Sequence, residues 1–177
     1  MNINIISTTV FFLLFTIFLP DLSAQIGPPS SKAEFEKMYK RRTRKAYLYG
    51  VYIPKDMAEA FNELNKKIDD NSKVKFKVVP EEIAAKKLHF SLGRWMIHNW
   101  SFYEGSRYSL YLKNIGVTHP DDMANFTIIL YHRHLNKKPL DVKPLVIAFK
   151  EKRKKAAEKR RTGGKVLKEE KRIRPRN

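Results

Sequence analysis

Residues Gly93 to Trp100 read GRWMIHNW, and this stretch holds both tryptophans of the 177-residue chain. On a helix, Leu92, Trp95, Met96 and Trp100 fall on one side, while Arg94 and His98, four residues apart, fall together on another. A ligand platform or a catalytic corner would use the same residue types. The helical spacing favours a core, in which Trp95 and Trp100 supply large buried surfaces and Asn99 or an indole N–H finds a polar partner.

Working outward from this stretch, helix signals recur on both sides. Ser31 and Glu34 have capping-box spacing and predict a mostly charged helix from about Lys32 to Tyr47. Ile53-Pro54-Lys55-Asp56 then precedes Met57, Phe61, Leu64 and Ile68, which recur at three- and four-residue intervals as one buried face would. Val74, Phe76 and Val78 alternate with lysines. A lone strand there would be marginal, so the segment reads as an extended connection or an irregular helix. Pro80-Glu81-Glu82 starts a helix towards Leu88 or beyond.

Past the loop at Glu104-Gly105, Ser106 caps a helix with Leu110, Tyr111 and Ile115, and Gly116 is placed to end it in left-handed backbone. Thr118-His119-Pro120-Asp121 opens another, carrying Met123, Phe126 and Ile129 or Leu130 and ending at Asn136. Asp141 caps a last helix whose buried face is Val142, Leu145, Val146 and Phe149. No internal repeat interrupts the series. The expectation is an all-α protein, a compact helical bundle of about five to six helices over residues 52–149.

Charge is unevenly spread. The chain carries a formal net charge of +18, of which Lys150 to Asn177 supply 14 basic and 4 acidic residues. Lys32 to Lys45 supply 7 basic and 2 acidic residues, whereas Ala46 to Phe149 hold 15 and 11. An ordinary domain is thus flanked by two basic arms, residues 25–51 (a linker and the first helix) and residues 150–177. The second breaks at Gly163-Gly164 and has little to bury, which predicts a fraying helix and then a largely disordered tail. Such arms suit an anionic surface or an acidic protein. With no aromatic residue to stack on bases, the tail disfavours sequence-reading nucleic-acid recognition.

Residues 1–24 combine an apolar run from Ile5 to Leu19, Pro20 and a Leu22-Ser23-Ala24 end, which reads as a secretory signal cleaved near Ala24. The alternative is an uncleaved inner-membrane anchor, although the run is shorter than the roughly 20 residues that span a bilayer. There is no cysteine, so disulfides and thiolate metal sites are excluded, and export would place the chain in the periplasm or outside the cell. Export would argue against nucleic acid as a partner.

Motifs for chemistry are sparse. His119-Pro120-Asp121-Asp122 resembles a catalytic or metal cluster, but acidic residues at a helix start more often interact with its free N–H groups. Arg107 is placed to bridge Asp121 or Asp122. His132 and His134 diverge by roughly 200° on a helix and cannot chelate one ion together. No nucleophile elbow or phosphate loop is present. No cofactor or metal is therefore expected.

The run GRWMIHNW, Gly105-Ser106-Arg107, and Gly116-Val117-Thr118-His119-Pro120-Asp121-Asp122-Met123 resembles an uncharacterised bacterial family, a domain of unknown function, over about Tyr52 to Phe149. In that pattern arginine stands where this chain has His98. The resemblance marks Arg94, Trp95, His98, Asn99, Trp100, Ser106, Arg107, His119, Asp121 and Asp122 as candidate functional or structural residues, and implies no activity. The expectation is a non-enzymatic, exported interaction module. Its alternatives are an enzyme with a polar cleft near Arg94, His98, Arg107, His119 and Asp122, or a membrane-anchored cytoplasmic nucleic-acid or lipid binder.

Overall fold

The computed structural model describes residues 29–163, and the chain divides into two units, Met1–Met38 and Tyr39–Asn177. The expected signal sequence and the tail beyond Gly163 lie outside the described residues. Among the described residues the fold is all-α apart from one two-stranded hairpin.

Helix α1, Lys32–Arg42, starts where Ser31 Oγ accepts the Glu34 N–H at 3.2 Å. The Glu34 carboxylate returns to the N–H and hydroxyl of Ser30, one residue earlier than a standard capping box requires. α1 stops short of the expected Tyr47. There Tyr47–Leu48 (β1) pairs antiparallel with Val51–Tyr52 (β2) across Tyr49 and Gly50, both at positive φ. Two left-handed residues in the turn match the twist of a tight hairpin, which removes this segment from the helix.

Helix α2, Met57–Lys67, is capped by Asp56, whose side chain accepts the Glu59 N–H at 2.9 Å. It buries Met57, Phe61 and Leu64, as their spacing predicts, together with Ala60, while Ile68 caps its C-terminal end and is only partly buried. Of the two expectations around Val74, an extended connection or an irregular helix, the structure has the helix: α3, Asp70–Val78, capped by Asp69 through the Ser72 N–H. Phe76 alone of its three apolar residues is buried, while Val74 and Val78 are exposed. With no strand beside it, the segment satisfies its backbone groups only as a helix, and the alternation with lysine has no sheet face to describe.

Helix α4, Glu81–Leu88, begins at Pro80. The block expected to run as one helix through Phe90 to Trp100 is divided into a π-helical turn, His89–Gly93, and α5, Arg94–Asn99. Helix α6, Arg107–Ile115, has reciprocal Ser106–Ser109 capping bonds and ends at Gly116 with φ 104°. Its inner face is Tyr108, Ser109 and Leu112, while Leu110, Tyr111 and Ile115 are only partly buried.

Helix α7, Pro120–Leu135, is the axis of the domain. Met123, Ala124, Phe126, Thr127, Ile128, Leu130, Tyr131 and His132 are all buried, so packing covers most of its circumference rather than one stripe. α3, α4, the π-helical turn, α5, α6 and α8 pack around it. Polar bonds tie it at three heights: the Tyr108 and Thr127 hydroxyls meet at 3.0 Å, Tyr131 donates to Asn65 Oδ1 at 2.8 Å, and His132 Nε2 lies 2.9 Å from the Val79 carbonyl. Burial pushes the Tyr131 hydroxyl up to about 12. At the far end, Arg133 makes a two-point bridge to Glu81 at 2.8 and 2.7 Å and donates to the Leu140 carbonyl, which fastens α4 to the end of α7.

Helix α8, Val142–Thr162, starts at Asp141 without the expected side-chain cap. That residue has φ 46°, and its carboxylate makes no capping bond. Residues 150–162, expected to form the helical start of the arm, continue the helix as far as the Gly163 break, in keeping with their Lys, Arg, Glu and Ala content.

Trp100, 1% exposed, packs edge-to-face on Tyr108 at 5.3 Å and on Trp95 at 5.6 Å. Trp95 is only partly buried, and Lys67 Nζ sits 4.2 Å from its ring centre. Trp100→Ala should therefore cost about 3–5 kcal/mol in urea unfolding, with a distinctly smaller loss for Trp95→Ala. Equal losses would contradict this division of burial.

Candidate functional site

α5 carries the candidate residues of GRWMIHNW, and the elements on either side of it decide what they face. Trp95 and Trp100 turn towards the core, and Asn99 Nδ2 donates to the Trp95 carbonyl at 2.9 Å, bracing the same short helix. Arg94 and His98 project to the opposite side. They line a cleft of about 430 Å³ with His89, Phe90, Ile97, Ser101, Tyr103, Glu104 and Asp121.

The cleft follows from two local irregularities. The π-helical turn adds a residue to the helical register, which places His89 and Phe90 where a continuous α-helix would have turned them elsewhere. Gly93 lies at its end, buried, where a Cβ would come 3.3 Å from His89 Nδ1. After α5, Ser101 takes a left-handed conformation at φ 49°, which turns the chain sharply before Tyr103 and Glu104.

The carboxylates of the cleft have partners. Asp121 Oδ1 lies 3.7 Å from His89 Nε2, and His89 Nδ1 lies 3.1 Å from Asn125 Oδ1. Glu104 accepts the Tyr49 hydroxyl at 2.9 Å, and that bond raises the Tyr49 pKa above its ordinary value. His119 is the N-cap of α7, with Nδ1 accepting the Asp121 N–H at 3.3 Å. That bond requires an unprotonated Nδ1. The 3.5 Å approach of the same nitrogen to Asp121 Oδ2 becomes an ion pair only in an imidazolium that gives up the cap.

The remaining candidates lie outside the cleft lining. Ser106 is a buried helix cap. Asp122 pairs with Arg153 of α8, through Nη2 at 2.6 Å and Nε at 2.8 Å. Arg107 does not bridge Asp121 or Asp122 as the sequence suggested. Its Nε donates to the Ile53 carbonyl at 2.6 Å, its Nη2 lies 3.3 Å from Glu59 Oε2, and its guanidinium lies over the Tyr52 ring. The reason is positional: Arg107 begins α6 beside the start of α2, so the acid within reach is Glu59.

Glu59 gathers three further donors: the Lys55 N–H at 3.0 Å, Lys55 Nζ at 2.9 Å and the Tyr52 hydroxyl at 2.8 Å. The Lys55 backbone and side-chain bonds, then that of Tyr52, hold its carboxyl at about 2, below the usual 4.5.

Among the described residues, no group of three or more His, Asp or Glu side chains is arranged to hold a metal ion. His132 and His134 diverge as expected: His132 is buried against Phe76 and His134 stacks on Phe61. Sequence reasoning passed over His89, Phe90, Tyr103 and Glu104. The one available signal was Phe90, an aromatic residue displaced from the Leu92-Met96-Trp100 stripe.

Residues 53–135 match the family model described as Domain of unknown function (DUF6794). The match contains every residue lining the cleft and excludes α8. No curated protein and no solved structure matches the chain.

The depressed Glu59 pKa has a defined consequence. Between its ordinary 4.5 and about 2, the unfolded chain binds a proton that the folded chain does not, so stability falls as pH falls through this window. Glu59→Gln should be less stable at neutral pH and should lose less on acidification, measured by thermal unfolding across that range. Arg107→Lys should cost about 1–2 kcal/mol in urea unfolding, since a point charge cannot span the Ile53 carbonyl and Glu59 together. Unchanged stability would remove Arg107 from this network.

Proposed function

We propose that this protein is a non-enzymatic interaction module that attaches to an anionic surface or acidic partner through its basic arms. The observation carrying this reading is the distal half of α8. From Lys150 to Arg161 it holds eight basic and two acidic residues, and all except Arg153 are exposed. Among the described residues, Arg153 is the one cation of this segment in an ion pair. Basic side chains lie all round the helix. Packing cannot explain such a surface, whereas a polyanion can engage it from any side.

The enzyme reading has less support, because its residues are engaged separately. Arg107 is committed to Ile53 and Glu59, Asp122 to Arg153, and His119 to the cap of α7. Arg94 and His98 alone of that set line the cleft.

Export is part of the proposal and rests on residues 1–24. Among the described residues, no helix is long and apolar enough to cross a membrane. Intact mass and fractionation test export: a chain beginning at Gln25 outside the cytoplasm is expected, and an intact Met1 chain in the membrane fraction would overturn it.

For the surface itself, the full chain should sediment with vesicles containing phosphatidylglycerol at low salt, and release should be complete by high salt. Replacing Lys154, Lys155 and Lys159 by glutamine should weaken binding on the order of a hundredfold, since each basic residue near such a surface contributes about 1 kcal/mol. The melting temperature should not change, because these side chains are exposed. Binding that survives the triple replacement would refute a role for α8.

A further inference from the structure

The cleft beside α5 has an imbalance that the interaction reading does not use. Its two carboxylates are engaged, Asp121 near His89 and His119, and Glu104 by Tyr49. Its two remaining charge-bearing side chains, Arg94 and His98, make no hydrogen bond or ion pair with any described residue. They stand one helical turn apart on the same face. The uncompensated group is therefore cationic, and a guanidinium presents a planar fork suited to two oxygens of one anion.

The lining also offers apolar surface. Phe90 is 76% exposed and Tyr103 68% exposed, two large rings that the fold leaves uncovered at one site. Ile97 adds an aliphatic wall. Scattered exposed aromatics need no explanation, but two lining the same 430 Å³ cleft as a free arginine form a mixed apolar and cationic surface.

Backbone conformation points the same way. The π-helical turn supplies His89 and Phe90, while the left-handed Ser101 lies in the lining itself just before Tyr103 and Glu104. A serine held at positive φ costs free energy, and such conformations concentrate at binding sites. Both irregularities flank α5 and build one cleft.

We propose that this cleft binds a small organic anion bearing an aromatic ring, with Arg94 and His98 holding its carboxylate or phosphate and Phe90 and Tyr103 covering the ring. Arg94 is the principal anchor. Its forked donors fix the anionic group, and His98 supplies a second donor from the next turn. The anion and the ring are recognised by different walls, so a ligand lacking either part should bind more weakly.

The test is calorimetric titration of the full chain with phenyl phosphate and with benzoate, beside inorganic phosphate and benzyl alcohol. Saturable binding of either aromatic anion at one site is expected, and the tighter of the two identifies the anionic group. Inorganic phosphate and benzyl alcohol should each bind at least about tenfold more weakly. Arg94→Gln and Phe90→Ala should each reduce affinity by a similar factor with an unchanged melting temperature, since both side chains are exposed. The Lys154, Lys155 and Lys159 replacement should leave this binding unaltered, which separates the cleft from the basic helix. No binding of either aromatic anion, equal affinity for inorganic phosphate, or full affinity in Arg94→Gln would overturn the proposal.

Discussion

Everything in the domain depends on enclosing Pro120–Leu135. A helix with buried residues on most of its circumference cannot be stable alone in water, and it needs neighbours on several sides at once. Six surrounding elements meet that need, and most of them can be short because each adds only a few side chains to a common core. The central helix is not purely apolar. Thr127, Tyr131 and His132 bring polar atoms inside, and each takes a partner from a different segment: Tyr108, Asn65 and Val79. Those bonds specify which neighbour lies at which height, a selectivity that apolar contact alone lacks.

Around that axis the charged residues divide into two populations. One is consumed internally. Arg133 with Glu81, Arg107 with Glu59 and Arg153 with Asp122 each join elements distant in sequence. These pairs are partly buried, so losing one partner leaves a charge without full hydration. The other population is the excess of lysine and arginine along distal α8, which has no such role. The eight basic and two acidic residues from Lys150 to Arg161 thus give distal α8 a net charge of +6 that is mostly exposed and has little to do with how the domain holds together.

The cleft is a consequence of how α5 is joined to its neighbours. A continuous α-helix through residues 89–100 would bury one face and leave an ordinary charged surface on the other. The π-helical turn and the left-handed Ser101 turn the flanking chain towards that second face, and a convex surface becomes concave. The same short helix therefore contributes Trp100 and Met96 to the core and Arg94 and His98 to the cleft. Core and cleft are coupled through it.

Much of this was legible in the sequence, because it is governed by neighbours a few residues apart. Asp56, Ser106 and Gly116 act as helix punctuation through local backbone bonds, and the Met57-Phe61-Leu64 spacing defines a buried face whatever covers it. The all-α class follows from such signals. What lies beyond them depends on contacts distant along the chain. Asp70–Val78 is a helix although its lysine alternation would suit a strand, because, among the described residues, no strand reaches it to pair. Arg107 finds Glu59, 48 positions away, instead of the nearer aspartates, and those aspartates face His89 and Arg153. Sequence spacing determined which residues could share a helical face. Only the tertiary structure decided which charges meet, because ion pairing depends on distances of a few ångströms that the packing around α7 sets.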